Sequence, residues 1–316
     1  MTSTTNTTRR QFIGQTLGAA AAGALPFAVS AANAKSGFKL NYILASAMYG
    51  YTDVADVVAE VKKTGADAID IWPKVHGDQR EQIEKIGHER FAELLKQHGV
   101  KLGTDTCYKL GPFGMQQEME FAAKLGGRGV VMVTGAKGPR DVRGKELKAA
   151  VAKFLEQLKP HVAQAEKTGC VIAVENHGRS LIETPDSIRW FGEMNESDHL
   201  GIAFAPHHLT QYPEPMRKLI EELGPNVKFF YAQEHGMGSS KKLPKAQEML
   251  QMPARGPLDF EPLIAGLKKI NYTGYSEIFM HPVPRGVPIL DTTAAITEEI
   301  NHSRAYLDGI VKKLAG

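Results

Sequence analysis

Apolar runs of β character alternate with segments of helical period along most of the chain. "FKLNYILAS" (38–46) predicts a first strand. "YTDVADVVAEVKKTG" (51–65) repeats apolar residues at the three-to-four spacing of a helix, with Thr52 or Asp53 near its N-cap and Gly65 past its end. The same reading gives a strand in "ADAIDIWP" (66–73) and an amphipathic helix in "REQIEKIGHERFAELLKQHG" (80–99), closed by Gly99. "VKLGTDTCY" (100–108) is the third strand, 115–127 a helix and "GVVMVTG" (129–135) the fourth strand. A long helix over 145–169 is expected to be interrupted at Pro160, because proline lacks an N–H and clashes with the preceding turn. "CVIAVENHG" (170–178), "LGIAFAPHHL" (200–209), "VKFFYAQEHG" (227–236) and "GYSEIFMHP" (274–282) are strands five to eight. Helices follow them over 184–194, 214–223, 259–270 and about 292–313, with a long loop at 237–257 that holds two Gly, three Pro and a basic pair.

Eight strands, each followed by a helix, within about 280 residues is the count of a (β/α)₈ TIM barrel. A doubly wound open sheet is the alternative, but its first turn is usually Gly-rich for phosphates and "LASAMYGY" is not. No composition break divides the segment from 35 to 316, so one domain is expected there.

In such a barrel the active site lies at the C-terminal ends of the strands. Here strand five ends in Glu175-Asn176-His177, strand six in His207-His208, strand seven in Gln233-Glu234-His235, and strand eight carries Glu277 and ends in His281. Five of the eleven histidines therefore sit at four strand ends. Side chains alternate along a strand, which puts Ala203, Ala205 and His207 on one face and Ile202 and Phe204 on the other. Glu175 pairs with His177, Gln233 with His235 and Glu277 with His281 by the same rule. Glu175 and Glu277 then converge in a poorly solvated space, where either a cation lies between them or one holds a proton. Both outcomes serve catalysis, as metal-assisted polarisation or as a matched acid and base.

The N-terminal stretch changes the expected location. Arg9-Arg10 precede Phe12 and Ile13, an Ala-rich run follows to about Val29, and "AANA" offers a small-residue cleavage site after Ala34. These features predict a twin-arginine signal peptide over 1–34, hence use of the twin-arginine machinery and a periplasmic or secreted protein. The net charge is +3, and Arg9 and Arg10 are the only charged residues of the leader, so removing those two leaves about +1. A near-neutral surface argues against a nucleic-acid partner, and no later stretch is apolar enough for stable membrane insertion. Cys107 and Cys170 fall in different strands and read as buried thiols.

"VIAVENHG", "GIAFAPHHL" and "GPLDFEPLIAGLKKINYTGYSEI", with the spacing between them, resemble the xylose isomerase-like TIM-barrel superfamily of sugar isomerases, epimerases, inosose dehydratases and endonuclease-four-type repair enzymes. The resemblance implies a divalent metal (Mn, Zn or Mg) held by Glu of strand five, Asp of strand six, His of strand seven and Glu of strand eight. Glu175 and Glu277 match the two glutamates, and His208 matches a family histidine three residues after the Asp. The Asp position itself is Ala205, and the strand-seven position falls on Tyr231 or Gln233. The expected metal set is thus Glu175, His208, Gln233 and Glu277, with Glu175 and Glu277 also the catalytic acid/base pair. Trp72, His177, His207, His235, Arg255 and His281 are expected to hold a small carbohydrate. The implied reaction is proton transfer next to a carbonyl, as isomerase or epimerase. A lyase or dehydratase on the same barrel, or a non-catalytic sugar-binding barrel, are the alternatives. Export and neutral charge disfavour a repair endonuclease.

Overall fold

A computed structural model describes residues 37–316. The leader over 1–34, with its paired arginines, lies outside the described residues.

Eight parallel strands close into a barrel in sequence order. They are β1 (Asn41–Ala45), β2 (Ala68–Ile71), β3 (Lys101–Thr106), β4 (Val131–Thr134), β5 (Val171–Glu175), β6 (Leu200–Phe204), β7 (Val227–Ala232) and β8 (Tyr275–Ile278). β8 pairs back onto β1, with Ile43 opposite Glu277. The helices are α1 (Val54–Glu60), α2 (Gln79–Ile86), α3 (His88–His98), α4 (Gln116–Gly126), α5 (Gly144–Thr168), α6 (Pro185–Met194), α7 (Pro213–Leu223), α8 (Lys245–Glu248), α9 (Glu261–Lys269) and α10 (Thr293–Ala315). The TIM barrel expected from the alternation of strands and helices is the fold observed.

The floor of the barrel is tightly filled. A Cβ at Gly103 would lie 2.8 Å from both Ala68 Cβ and Ile43 Cδ1 and 2.9 Å from the Tyr275 ring, so only glycine fits β3 there. The outer faces of β6 and β7 stack Phe204 on Phe230 at 6.4 Å against the helix layer. Cys107 and Cys170 are buried free thiols.

Three local expectations need correction. The helix over 80–99 is two helices, because Gly87 takes φ +88°, a left-handed value that glycine adopts at little cost and that ends α2 before α3 begins. α5 runs unbroken through Pro160. The proline is exposed, so the carbonyl it frees can bond water, while Phe154, Leu158, His161 and Val162 bury the opposite face on both sides of it. The loop over 237–257 contains the short helix α8 and a following 3₁₀ turn, Met249–Gln251. Asp53 is the N-cap of α1, its carboxylate accepting from the Ala55 N–H at 2.8 Å.

Candidate active site

Pro206 explains how two adjacent histidines come to face the barrel mouth. It cannot donate to a sheet, and the chain leaves β6 in a 3₁₀ turn over Pro206–His208. The strand end is held by Asn176, whose side-chain amide donates to the Ala205 carbonyl (2.9 Å) and accepts from the Ala205 N–H (2.8 Å). β5 and β6 are thereby locked together where their functional side chains emerge.

Those side chains form one cluster. His208 Nε2 lies 3.3 Å and His207 Nε2 3.9 Å from the same Glu175 oxygen, Oε1. The other oxygen, Oε2, accepts the Tyr108 O–H. Ligand atoms of Glu175, His207 and His208 all fall within 4.8 Å of one another. Neither ring nitrogen of His207, nor Nε2 of His208, has a hydrogen-bond partner among the described residues. Burial first, then the neighbouring imidazoles, holds His207 well below the ordinary histidine range, so its ring is neutral and has a lone pair to offer. His177 continues the row, its ring 4.0 Å from that of His208, with Nδ1 2.7 Å from the Gly178 carbonyl.

Glu277 has different company. It is fully buried, and burial followed by the charges of Asp70 and Glu175 pushes its carboxyl well above the usual range. Asp70 of β2, also fully buried, is raised in turn by burial, while the Thr106 hydroxyl donates to its Oδ2 at 2.8 Å. Two interacting carboxyl groups this deeply buried do not readily both ionise, which favours a proton on the pair. Tyr231, opposite Glu277 on β7, has a buried hydroxyl with no hydrogen-bond partner among the described residues, held above the usual phenol range by burial.

Trp72, His76 and His281 form a second group. Trp72 is buried and stacks on Phe279 with ring centroids 5.0 Å apart. His281 packs edge-on to Phe279 at 4.7 Å and lies 6.3 Å from His207, while His76 lies 4.9 Å from His281. Burial holds both below the ordinary histidine range, His76 at about 4.

Several expected residues lie apart from the Glu175 cluster. Gln233 donates from Nε2 to Gln251 Oε1 at 3.0 Å, and Gln251 also braces the backbone of His281, so Gln233 ties β7 to the end of β8. His235 is exposed at the rim, with Nδ1 3.1 Å from the His207 carbonyl. Arg255 is not brought to the mouth; Nε and Nη2 each reach a Glu299 oxygen at 2.7 Å in a forked pair with α10. Asp70, Tyr108 and His76 join the site without having been singled out in the sequence, and Tyr231 had been named only as the alternative to Gln233 at the strand-seven position. For Asp70 the signal was available: it stands two residues before Trp72 and so shares its face.

Residues 58–306 match the family described as xylose isomerase-like TIM barrel. Among solved structures the chain is similar to the Escherichia coli 3-keto-D-glucoside 4-epimerase YcjR, at 18% identity and TM-score 0.62, covering 84% of this chain and 100% of that one. It is similar to D-psicose 3-epimerase with D-tagatose from Clostridium cellulolyticum H10, at 13% identity and TM-score 0.65, covering 86% and 99%. It also matches the IOLI protein with a binding zinc atom, at 15% identity and TM-score 0.65, covering 87% and 99%. At these identities the likeness is one of fold. Comparison with curated proteins gives no significant match.

Proposed function

Because the chain belongs to the xylose isomerase-like TIM-barrel family, we propose that it is a sugar isomerase or epimerase that moves a proton on the carbon next to a carbonyl, acting outside the cytoplasm after twin-arginine export. The observation that carries this reading is the Glu175 cluster: one carboxylate oxygen fixed by Tyr108, the other facing two imidazoles with unpartnered nitrogens. Buried polar atoms without protein partners are satisfied in native proteins by water, an ion or a ligand.

The residues fit a divalent cation. Glu175, His207 and His208 offer one oxygen and two nitrogens, a mixed set that suits zinc or manganese better than magnesium. Ala205 supplies no carboxylate, and His207, two residues later in the 3₁₀ turn, offers a nitrogen instead. A bound cation would polarise the substrate carbonyl and so acidify the neighbouring C–H.

The chain's own residues do the rest. Glu175, oriented by Tyr108, takes the proton from carbon. The Asp70–Glu277 pair holds a proton in a buried position and returns it on the other side of the sugar. Trp72 offers an apolar face to the sugar ring, while His177 and His281 meet hydroxyls. Gln233 and His235 hold the strand-seven side of the mouth. The family neighbours that act on keto-sugars support this reaction class.

Metal analysis of protein purified without chelator, with deuterium exchange into keto-sugars followed by NMR, tests this. Near-stoichiometric metal is expected, lost on His208→Ala and kept in Glu277→Gln. Less than about 0.1 metal per chain, with exchange insensitive to chelator, would remove the metal. Absence of exchange into any keto-sugar by metal-loaded protein would remove the reaction.

A further inference from the structure

A cavity of about 320 Å³ adjoins the Glu175 cluster, bounded by Tyr108, Lys137, Arg140, His177, Arg179 and Ser180. We propose that this cavity receives an anionic group carried by the sugar, a carboxylate or a phosphate, so that the substrate is an acidic sugar rather than a neutral one. The inference rests on the sugar-enzyme reading and narrows its substrate class.

Charge makes the argument. Three cations line the cavity and no acidic residue does. Among the described residues, Lys137, Arg140 and Arg179 form no ion pair, although many cations of this surface do: Lys62 with Asp67, Arg189 with Glu222, Arg255 with Glu299. The segment 1–34 contains no acid that could neutralise them. Unpaired guanidinium and ammonium groups around a concavity focus a positive potential into it and offer forked, charge-assisted hydrogen bonds to carboxylate or phosphate.

Position makes it a subsite. Tyr108 and His177 belong to both spaces: Tyr108 donates to Glu175, and His177 lies 4.0 Å from His208. A group seated among the cations is therefore covalently within reach of a carbon at Glu175. The Ser180 hydroxyl lines the cavity with a buried oxygen that has no hydrogen-bond partner among the described residues. Arg179 is held at φ +63°, a left-handed value uncommon for a residue with a side chain, and such conformations concentrate at functional sites.

Calorimetric binding of D-glucose, D-glucuronate and D-glucose 6-phosphate to the leaderless protein tests the proposal, at low salt and at about 0.5 M salt, where exposed charges are screened. At low salt one or both acids should bind about tenfold more tightly than D-glucose, and high salt should erase the difference. Which acid gains identifies the group. The triple variant Lys137→Ala/Arg140→Ala/Arg179→Ala alters exposed side chains, so its unfolding midpoint should match the parent. It should bind all three sugars alike. Equal affinity for acid and neutral sugar in the parent, no binding of either acid, or an acid advantage that survives the triple variant would overturn the subsite. Failure of the sugar-enzyme reading shows differently, as acid binding that depends on the three cations without any deuterium exchange into keto-sugars.

Discussion

Glu175 and Glu277 are the same residue, at the upper ends of strands in one barrel, and both are buried. Their surroundings differ in what they donate. Glu175 meets the Tyr108 O–H and two imidazoles. Glu277 meets Asp70, and among the described residues neither of its oxygens has a hydrogen-bond donor. A carboxylate surrounded by donors and lone-pair nitrogens can bind a cation or take a proton. A carboxyl pressed against another carboxyl stores a proton. One mouth therefore holds an acceptor side and a reservoir side, built from the same side chain.

Five substitutions break or sharpen this contrast. The largest effect is expected for Glu175→Gln, which keeps the size and one oxygen but removes the charge. Turnover should fall about 100-fold or more with the circular dichroism spectrum unchanged; near-parental turnover would refute the role. Loss of either imidazole comes next. His207→Ala and His208→Ala should each weaken metal retention against a competing chelator by at least about tenfold, since each removes a nitrogen from a three-ligand group. Parental retention in both variants would place the metal elsewhere.

Asp70→Asn should act on the reservoir side alone. The amide can still accept from Thr106 and can now donate to Glu277. Burial raises both carboxyls, and the charge of Asp70 raises Glu277 further, so their proton stabilises the fold fully at pH values below the unfolded-state range and is lost as pH rises through the folded values. The variant should therefore be more stable than the parent by about 1–2 kcal/mol at pH 8, and the gap should narrow toward pH 4. Denaturant unfolding measures both, and a less stable variant at pH 8 would argue against proton sharing.

The smallest effect concerns His76. Its folded value of about 4 lies below the ordinary histidine value. The unfolded chain thus gains its proton first as pH falls, and stability drops between about 6.5 and 4. His76→Gln should flatten this limb by about 1 kcal/mol, a figure reduced for partial exposure. An unchanged acid limb would show that His76 is free to protonate in the fold.

The barrel was legible because each β/α unit carries its own local signals, such as Asp53 capping α1 and Gly65 closing the turn after it at φ +76°. Strand-end placement also pointed to Glu175, His207 and His208, since alternation is a local rule. Other features were not legible. Tyr108 reaches Glu175 across 67 positions of sequence, and nothing in "TDTCY" announces it. Arg255 resembled a sugar-binding arginine until α10 placed Glu299 against it. Gly87 split a helix whose apolar periodicity runs straight through it, because one left-handed residue outweighs an unbroken pattern.

The sequence by itself determined the repeating units, their number and order, and which residue types stand at the strand ends. Those follow from hydrophobic period, capping and alternation, which act over a few residues. Only the tertiary structure decided the company each ionisable group keeps. Closure of β8 onto β1 carries Glu277 to Asp70 of β2, and the turn after β6 carries His207 and His208 to Glu175 of β5. Whether a carboxyl shares a proton or faces free imidazoles depends on charges, donors and solvent within a few ångströms, and the neighbours at that range come from distant parts of the chain.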